Sequence, residues 1–287
     1  MIFQKKDFVS SSFYLFEKFK DDAPFACGKI GNCELICIYN YFICQHKNIT
    51  PIQWAPDVVE EMYNNTGVFP QTEEARIEFV QEIVKSLPSI DALAWWSMFN
   101  LDFEARFIKK HSFNCELIDL QSLESFYSGS PWTQYLKDKR VLVISPFTET
   151  IKKQYKNRNK IWQDPRVLPN FDLVTINHQH SPGIDKPSKY SSWIEMINDI
   201  KEEMDNTKYD VLLIGAGASA LPLISHAKLK GKKAVHLGGG LQLLFGIKGG
   251  RWDNGPVGKH FYNEFWTRPS LSETPEKFKN IEGGCYW

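Results

Sequence analysis

The 287-residue sequence has no excess of charge of either sign and no long run of apolar residues. Its 34 basic and 34 acidic side chains give a formal net charge of +0, so no overall field would draw it to nucleic acid or to an anionic membrane. No stretch reaches the roughly 18 apolar residues that a transmembrane helix needs. The first residues mix charged and apolar side chains and lack a signal-peptide cleavage pattern, and we therefore expect a soluble, cytoplasmic protein.

The sequence also lacks the cysteine spacings of disulfide frameworks and zinc sites. None of its six cysteines forms a C-x-x-C pair, and four of them lie in an apolar stretch, where a thiol behaves as a small hydrophobic side chain. A hydrophobic content of 43% is enough for a large core. Because no repeat or low-complexity linker interrupts the chain, we predict one α/β domain over residues 1–287. Its N-terminal part (24–139) carries a helical insertion, and its C-terminal part covers 140–287.

Strand-like and helix-like segments alternate along the sequence. Short apolar, β-branched runs predict strands at 26–30, 92–96, 116–120, 141–145, 172–177 and 210–214, with one more strand ending at His236. Three- and four-residue apolar spacing predicts helices at 34–45, 56–63, 72–86, 101–110, 148–162, 191–205 and 221–230, the first of them capped by Asn32. The pattern indicates a Rossmann-like, mostly parallel sheet of six or seven strands with helices on both faces. The aromatic segment after Gly250 is expected to pack back on the domain.

The segment 208–250 contains two glycine-rich turns. Gly215 and Gly217 follow a buried strand and supply the first two glycines of a G-x-G-x-x-G fingerprint, and Gly238 and Gly239 follow the next strand. In a parallel βαβ unit such turns bring backbone N–H groups close to a phosphate, so a phosphate-bearing ligand is predicted. The acidic residue that would hold an adenosine ribose is missing, since His236 stands near that position. Glycines that serve only tight strand–helix packing are the alternative interpretation.

Another turn motif, Lys29-Ile30-Gly31-Asn32-Cys33-Glu34, resembles the R-F-G-D-G-E turn of the GT-D glycosyltransferases, in which a D-x-E pair meets a sugar nucleotide and its divalent metal. Four further blocks, SPFTETIKKQY, LIGAGASALPL, HLGGGLQLLFGIKGGRW and EGGCYW, are similar to those of a related group of bacterial and viral polysaccharide-building enzymes. The resemblance extends over most of the chain, from about residue 24 onward. It implies transfer of a hexosyl or pentosyl group from a donor of the UDP-sugar type to a glycan or glycosylated acceptor.

One departure from the family motif bears on metal binding. Asn32 stands where the family has its first acid, so only Glu34 keeps a carboxylate at the turn. A hard cation such as Mn²⁺ or Mg²⁺ takes oxygen ligands, often one or two carboxylates together with the phosphates of a substrate. The resemblance implies that Glu34 holds the metal or contacts the donor, with Gly31 and Asn32 also at the donor, and it leaves metal dependence open. A helix cap at Asn32 and a first-turn acid at Glu34 are the simpler alternative.

Three side chains near the glycine turns are candidates for contact with a diphosphate. His236 ends a strand against three glycines and is expected to donate a hydrogen bond. Lys248 and Arg251 are expected to supply positive charge to the leaving diphosphate. A histidine satisfied within the core and two solvated loop charges are the alternative interpretations.

The base that would take the proton of an acceptor hydroxyl is not marked by any motif. Glu149 is the first choice because it follows a predicted strand end, and His178 and His180 come next for the same reason. Trp95 and Trp96 are candidates for stacking on a sugar or uracil ring, although paired tryptophans are more often core residues.

The leading functional prediction is a nucleotide-sugar-dependent glycosyltransferase. One alternative is a Rossmann-like oxidoreductase or other nucleotide-cofactor enzyme that uses Gly215 and Gly217 in its phosphate loop. A second is a non-catalytic glycan- or nucleotide-binding module. Donor sugar, acceptor, linkage, anomeric outcome and oligomeric state depend on a few loop and surface contacts and stay open at this stage.

Overall fold

Seven strands pair in parallel in the computed structural model, which describes residues 3–184 and 188–287. They are β1 (Phe25–Lys29), β2 (Ala92–Ala94), β3 (Glu116–Ile118), β4 (Arg140–Ser145), β5 (Asp172–Asn177), β6 (Val211–Ile214) and β7 (Lys233–His236), in the spatial order β3-β2-β1-β7-β6-β4-β5. Strands β1 to β3 form one half of the sheet and β4 to β7 the other. The halves join where β1 pairs with β7, with Cys27 opposite Val235. The predicted Rossmann-like parallel sheet is confirmed.

Helices cover both faces of this sheet. In chain order they are α1 (Phe8–Lys20), α2 (Asn32–His46), α3 (Pro56–Asn64), α4 (Glu73–Ser86), α5 (Leu101–His111), α6 (Thr148–Tyr155), α7 (Arg158–Ile161), α8 (Trp193–Asn206), α9 (Ala220–Leu229), α10 (Gly240–Leu244) and α11 (Pro256–His260). One core lies between the sheet and α2 to α5, α8 and α9. The other lies between the sheet and α1, α6, α7, α10 and α11. Helices α2 to α4 lie between β1 and β2 in the chain.

Local chemistry sets several of these boundaries. Val211–Ile214 is buried along its whole length, as expected for a parallel strand covered on both faces. The Thr72 side chain accepts a hydrogen bond from the Ala75 N–H at the start of α4, and Asn100 accepts one from the Phe103 N–H at the start of α5. The predicted strands and most of the predicted helices therefore agree with the structure to within a few residues.

One prediction about a helix needs correction, and one helix was not predicted. The segment 148–162, predicted as one helix, is divided into α6 and α7, because the backbone at Asn157 (φ −102°, ψ 12°) leaves the helical region. Asparagine favours such breaks because its side chain competes for local hydrogen bonds. Helix α1 was not predicted, since its charged and apolar residues do not separate cleanly by face. Its start at Phe8 is capped by Asp7, which accepts a hydrogen bond from the Ser10 N–H.

The aromatic segment after Gly250 packs on the domain, as predicted. Trp266 is buried and its indole N–H donates to the Ile161 carbonyl at 3.2 Å. The Trp252 ring lies so close to the chain that a Cβ at Gly239 would come within 2.9 Å of it, and one at Gly249 within 2.6 Å. Glycine at both positions lets the segment lie directly on the second glycine-rich turn. In the described ranges, no helix combines the length and apolar character needed to span a membrane.

Gly215 offers a direct test of how the strand ends pack. A Cβ at this position would lie 2.6 Å from the Gly238 carbonyl oxygen, which is main chain and cannot move alone. We expect Gly215→Ala to lower the free energy of unfolding by about 1–3 kcal/mol, the usual cost of overpacking. The measurement is a urea titration of both proteins. Gly129→Ala is the control, because nothing lies within 4 Å of a Cβ there, and its change should stay within about 0.5 kcal/mol. Equal midpoints for the two variants would contradict the prediction.

Candidate functional site

A cavity of about 520 Å³ opens at the edge of the sheet where the parallel strands end. Its walls come from the loops after β1, β2, β4, β5, β6 and β7, from the end of α3 and the residues that follow it, and from residues 281–287. Small-molecule sites typically measure roughly 300–1,000 Å³. In open α/β sheets, ligands bind at this edge, at the place where the order of the strands reverses direction. Here the order reverses at β4, which has β5 on one side and β6 on the other, and the two halves of the sheet meet between β1 and β7.

The loop after β1 forms one wall of the cavity. Gly31 is the N-cap of α2 and Asn32 is its first helical residue, so the predicted cap at Asn32 is wrong. The Asn32 side chain instead reaches the loop after β2. Its Oδ1 accepts hydrogen bonds from Ser97 Oγ at 3.2 Å and from the Met98 N–H at 3.1 Å. Asn32 thus ties the two loops together.

A buried carboxylate, that of Glu104, holds the loop after β2 in place. Glu104 Oε2 accepts hydrogen bonds from the Trp96 N–H at 3.1 Å and the Ser97 N–H at 2.8 Å. Burial raises the pKa of Glu104 to about 7, although these two hydrogen bonds oppose the rise. The Trp96 indole N–H donates to the Ile30 carbonyl at 3.0 Å, which keeps its ring at the cavity wall. Trp95 points elsewhere, donating to the Leu101 carbonyl at 2.6 Å.

The Glu34 carboxylate folds back over the first turn of α2. It occupies the space that a Cβ at Gly31 would need, and it is hydrogen-bonded to its own backbone N–H. Burial raises the pKa of Glu34, while that N–H and the Lys29 ammonium oppose the rise. Glu34 is therefore a cavity carboxylate whose proton affinity is increased.

The turn does not provide a ready set of oxygen ligands for a divalent cation. Asn32 Oδ1 already accepts two hydrogen bonds, and the Glu34 carboxylate is folded onto its own main chain. Among residues 3–184 and 188–287, no three His, Cys, Asp or Glu side chains converge as a metal site. A hard cation needs several oxygens at once. The residues that the family resemblance assigns to a metal therefore do not fit one.

Lys29, the last residue of β1, brings positive charge into the cavity. Its Nζ lies 5.2 Å from the centre of the Trp96 ring. Within the described part of the chain it forms no ion pair at 4 Å or less, and the carboxylates whose charge acts on it are Glu124 and Glu34. Burial lowers the pKa of Lys29, and these two carboxylates oppose the fall. Burial also raises the pKa of Glu124, which Lys29 opposes.

The glycine-rich turn after β7 lies directly against Lys29. Gly238 has φ +57°, a conformation that disfavours side chains. A Cβ there would come within 2.8 Å of Lys29 Cε and 3.1 Å of its Nζ. The backbone N–H groups of Gly238 and Gly239 donate to no other group in the two described ranges. The turn therefore places free main-chain donors beside an ammonium group.

The glycine pair after β6 serves close packing. Gly217 has φ +49°, and a Cβ there would lie 2.6 Å from the Thr66 carbonyl oxygen. Gly215 faces the Gly238 carbonyl in the same way. Both glycines therefore permit close main-chain packing, and both also line the cavity.

His236 ends β7 with a fixed tautomer. Its Nδ1 lies 3.0 Å from the Lys29 carbonyl oxygen, which can only accept, so Nδ1 carries the proton and Nε2 is an acceptor. Burial, reinforced by the Lys29 charge, lowers the pKa of His236 to about 3. The ring is neutral near pH 7. The predicted role of His236 as a hydrogen-bond donor to a diphosphate does not fit this arrangement, whereas acceptance from a ligand hydroxyl or amide does.

His178, a candidate base, lies at the floor of the cavity. Its Nε2 is 3.0 Å from Ser219 Oγ, which also accepts a hydrogen bond from the Trp193 indole N–H at 3.0 Å. Burial lowers the pKa of His178 to about 4, and a hydrogen bond with the Gln179 backbone offsets only part of the fall. A group with so low a pKa is a weak base at neutral pH.

Residues 281–287 close the remaining side of the cavity. Arg251 forms an ion pair with Glu282, and its guanidinium lies 4.9 Å from the centre of the Tyr286 ring. The Gln242 side-chain amide donates to the Tyr286 carbonyl at 2.8 Å, and the Arg251 N–H donates to the Cys285 carbonyl at 3.0 Å. This segment therefore adds an aromatic wall and a second, partly neutralised cation.

Most of the predicted site residues meet at this cavity. Those that line it are Gly31, Asn32, Glu34, His178, Gly215, Gly217, His236, Gly238, Gly239 and Arg251. Glu149 and Lys248 are corrections, because neither side chain reaches it. The Glu149 carboxylate is 66% exposed and pairs with Lys152 at 2.8 Å. The Lys248 ammonium lies over the Tyr262 ring at 5.3 Å.

Several cavity residues were not anticipated. Lys29 is the first residue of the turn motif, so the sequence draws attention to it, but no sequence pattern indicates that it is buried. Gln242 lies inside the HLGGGLQLL block, and Tyr286 lies in the segment expected only to pack. Glu61 lines the cavity from α3, a helix without any site signal in its sequence. His180, by contrast, was predicted as a candidate base together with His178, and it also lines the cavity, with Nε2 3.1 Å from the Glu273 carbonyl oxygen.

Comparison with known proteins gives a limited result. No family model matches the chain, and no curated protein matches it. A new glycosyltransferase (DUF1792) from Streptococcus sanguinis is similar at 12% identity and a TM-score of 0.45, over 95% of this chain and 96% of the other. Another structure, of the domain of unknown function 1792 with a distinct glycosyltransferase fold, is similar at 13% identity and a TM-score of 0.42, over 82% and 78%. Both TM-scores are below 0.5, and the functional inference therefore rests on the residues of this chain.

The state of His236 can be observed by NMR of selectively ¹⁵N-labelled histidine. Because burial favours the neutral ring, we expect His236 to stay neutral, with the proton on Nδ1, from pH 8 down to pH 5. Its resonances are assigned by their loss in His236→Asn. A doubly protonated His236 ring above pH 5, or a proton on Nε2 at pH 7, would contradict the arrangement described.

Proposed function

We propose that this protein is a glycosyltransferase that moves a sugar from a nucleotide-sugar donor, of the UDP-sugar type, to a glycan or glycosylated acceptor. The observation that carries the proposal is that one cavity contains both the K-I-G-N-C-E turn after β1 and the glycine-rich turn after β7. The first turn resembles that of the GT-D glycosyltransferases. The second offers main-chain donors of the kind that bind phosphates.

The walls of the cavity suit the two parts of such a donor. Trp96, Tyr286 and Trp287 supply aromatic surface on which a nucleobase or sugar ring can stack. Lys29 and Arg251 supply positive charge for a diphosphate. This combination supports a nucleotide-sugar donor in particular. A simple sugar has no negative charge for the two cations to bind, and a simple phosphate has no ring to stack on the aromatic side chains.

Glu34 is the proposed general base of the transfer. The base must accept the proton of the acceptor hydroxyl near neutral pH. His178 and His236 are too weakly basic, since burial lowers their pKa values to about 4 and about 3. Glu282 is already paired with Arg251, and His180 Nε2 lies 3.1 Å from the Glu273 carbonyl oxygen, which can only accept, so that nitrogen carries the proton. The other carboxylate, Glu61, lies on α3, and its charge adds to the rise in the pKa of Glu34. Glu34 lines the cavity, and burial raises its pKa, which increases its affinity for a proton.

Donor binding is the first test of the proposal. We expect isothermal titration calorimetry to detect binding of UDP and of at least one UDP-sugar, and a donor panel to show slow hydrolysis of the sugar that is used. Reduced nicotinamide cofactor, followed by fluorescence in parallel, should show no saturable binding. The proposal fails if no nucleoside diphosphate binds either with Mn²⁺ or without it.

Glu34→Gln tests the general base. Gln has a similar size and helix propensity, so the fold should be kept while turnover falls by about 10²- to 10⁴-fold. In the wild type, activity should fall as the pH drops through the raised pKa of Glu34, because the base must be ionised, and this acid limb should be absent in the variant.

Glu78→Gln is the matched control, because Glu78 is an exposed acid on α4 that does not line the cavity. Its turnover and pH profile should equal those of the wild type. Full activity in Glu34→Gln, with circular dichroism showing a normal fold, would remove Glu34 from the reaction.

A further inference from the structure

We propose that Lys29 is the residue that binds and neutralises the donor's diphosphate, in the role that a divalent cation would otherwise play at the turn after β1. The inference rests on the proposed function, since it concerns the leaving group of that transfer. It names a residue that the sequence motif alone does not identify, and it predicts that UDP binds without a metal ion.

The first line of support is the state of the turn itself. The oxygen of Asn32 that could replace the missing carboxylate is saturated by donors from Ser97 and Met98. An amide nitrogen, its other polar atom, cannot bind a cation. At the turn only Glu34 is left. Glu61 on α3 is close enough for its charge to act on Glu34, but in residues 3–184 and 188–287 no third His, Cys, Asp or Glu side chain joins them. A hard cation held by so few protein oxygens has to draw most of its ligands from water and substrate. The cavity thus lacks a cation site at the point where a diphosphate would need one.

The second line of support is the position of Lys29. It closes β1, and its Nζ lies beside Gly238 and faces the Trp96 ring. No carboxylate of the described residues comes within ion-pair distance of it, whereas Lys201, Lys228 and Lys230 on the outer surface all have carboxylates at 2.7–2.8 Å. An ammonium taken partly out of water without a direct counter-ion is unfavourable. A phosphate placed against it would supply that counter-ion.

The third line of support is the turn that meets Lys29. Gly238, whose N–H group is unpaired among the described residues, lies directly against the ammonium, and Gly239, whose N–H is also unpaired there, is the next residue of the turn. A phosphate oxygen placed at this turn could accept from the main chain and from Lys29 together. Because Gly238 has no side chain, Lys29 can approach the turn closely. The cation and the main-chain donors therefore form one candidate anion site.

The chemistry that this site supports is displacement at the anomeric carbon. The bond from the anomeric carbon to the β-phosphate oxygen breaks, and its electron pair stays on that oxygen. The acceptor oxygen forms the new bond to the anomeric carbon, and its proton passes to the Glu34 carboxylate. Negative charge grows on the diphosphate during this step, and an ammonium already in place stabilises it without reorganisation. Lys29 thus acts on the leaving group, and Glu34 on the acceptor.

The experiment compares UDP with uridine, which lacks the phosphates, in excess EDTA and then with Mn²⁺ or Mg²⁺. We expect wild-type protein to bind UDP in EDTA, and Mn²⁺ or Mg²⁺ to change its Kd by less than about threefold. Lys29→Met should weaken UDP binding by at least tenfold, which corresponds to about 1.4 kcal/mol, and leave uridine binding unchanged. Lys29→Arg, which keeps the charge, should retain UDP binding to within tenfold of the wild type. Lys47→Met, a change of an exposed lysine just beyond the far end of α2, is the control and should bind both ligands normally.

The outcomes separate this inference from the proposed function. UDP binding that requires Mn²⁺ or Mg²⁺, or equal UDP affinity in Lys29→Met and wild type, would overturn the role of Lys29 and leave a glycosyltransferase in place. Absence of UDP binding under every condition would overturn both. If Lys29→Met does not fold, the metal response of the wild type together with Lys29→Arg decides the question, because loss of binding in the charge-conserving variant is not expected.

Discussion

The close approach of main chains at the ends of β1, β6 and β7 is the constraint on which the rest of the structure depends. A Cβ at Gly28 would lie 2.6 Å from His236 Cβ, and one at Gly215 would lie 2.6 Å from the Gly238 carbonyl oxygen. Because of these contacts the three strand ends lie close together, and the His236 ring can donate a hydrogen bond to the Lys29 carbonyl. The packing of the strand ends and the shape of the cavity thus depend on the same short contacts. A glycine at such a position both allows the packing and lines the cavity.

Opposite charges balance one another in the cavity, but the Lys29 ammonium is not in direct contact with a carboxylate of the described residues. Lys29 is compensated at longer range by Glu34 and Glu124, and burial raises the pKa of both acids. Arg251 is compensated by direct contact with Glu282. Burial lowers the pKa of His178 and of His236, which keeps both rings neutral at neutral pH. An anionic ligand would therefore meet one cation that is open to it and one that must first exchange its partner.

The sequence was sufficient to predict the sheet, because its strands are short apolar runs followed by turn residues, most clearly at β4 (RVLVIS) and β6 (VLLI). It was also sufficient to place Gly31, Gly215 and Gly238 at one edge, since parallel strands bring their carboxyl ends together. It was insufficient where the answer depends on contacts between distant segments. The partners of Asn32 are in the loop after β2, 65 and 66 residues away. Glu149 follows a strand as predicted, but its carboxylate is directed to solvent, and no pattern in the sequence records that direction.

The pairing of β1 with β7 also has a consequence for how the chain acquires its structure during synthesis. Phe25 lies opposite Lys233, roughly 200 residues later in the sequence, so one edge of β1 waits for a partner while nearly all of the protein is made. At about 5–20 residues per second this interval is roughly 10–40 s. An unpaired strand edge is a template for wrong association. The N-terminal half therefore has to remain protected, by its own helices or by a chaperone, until the last strand of the sheet emerges.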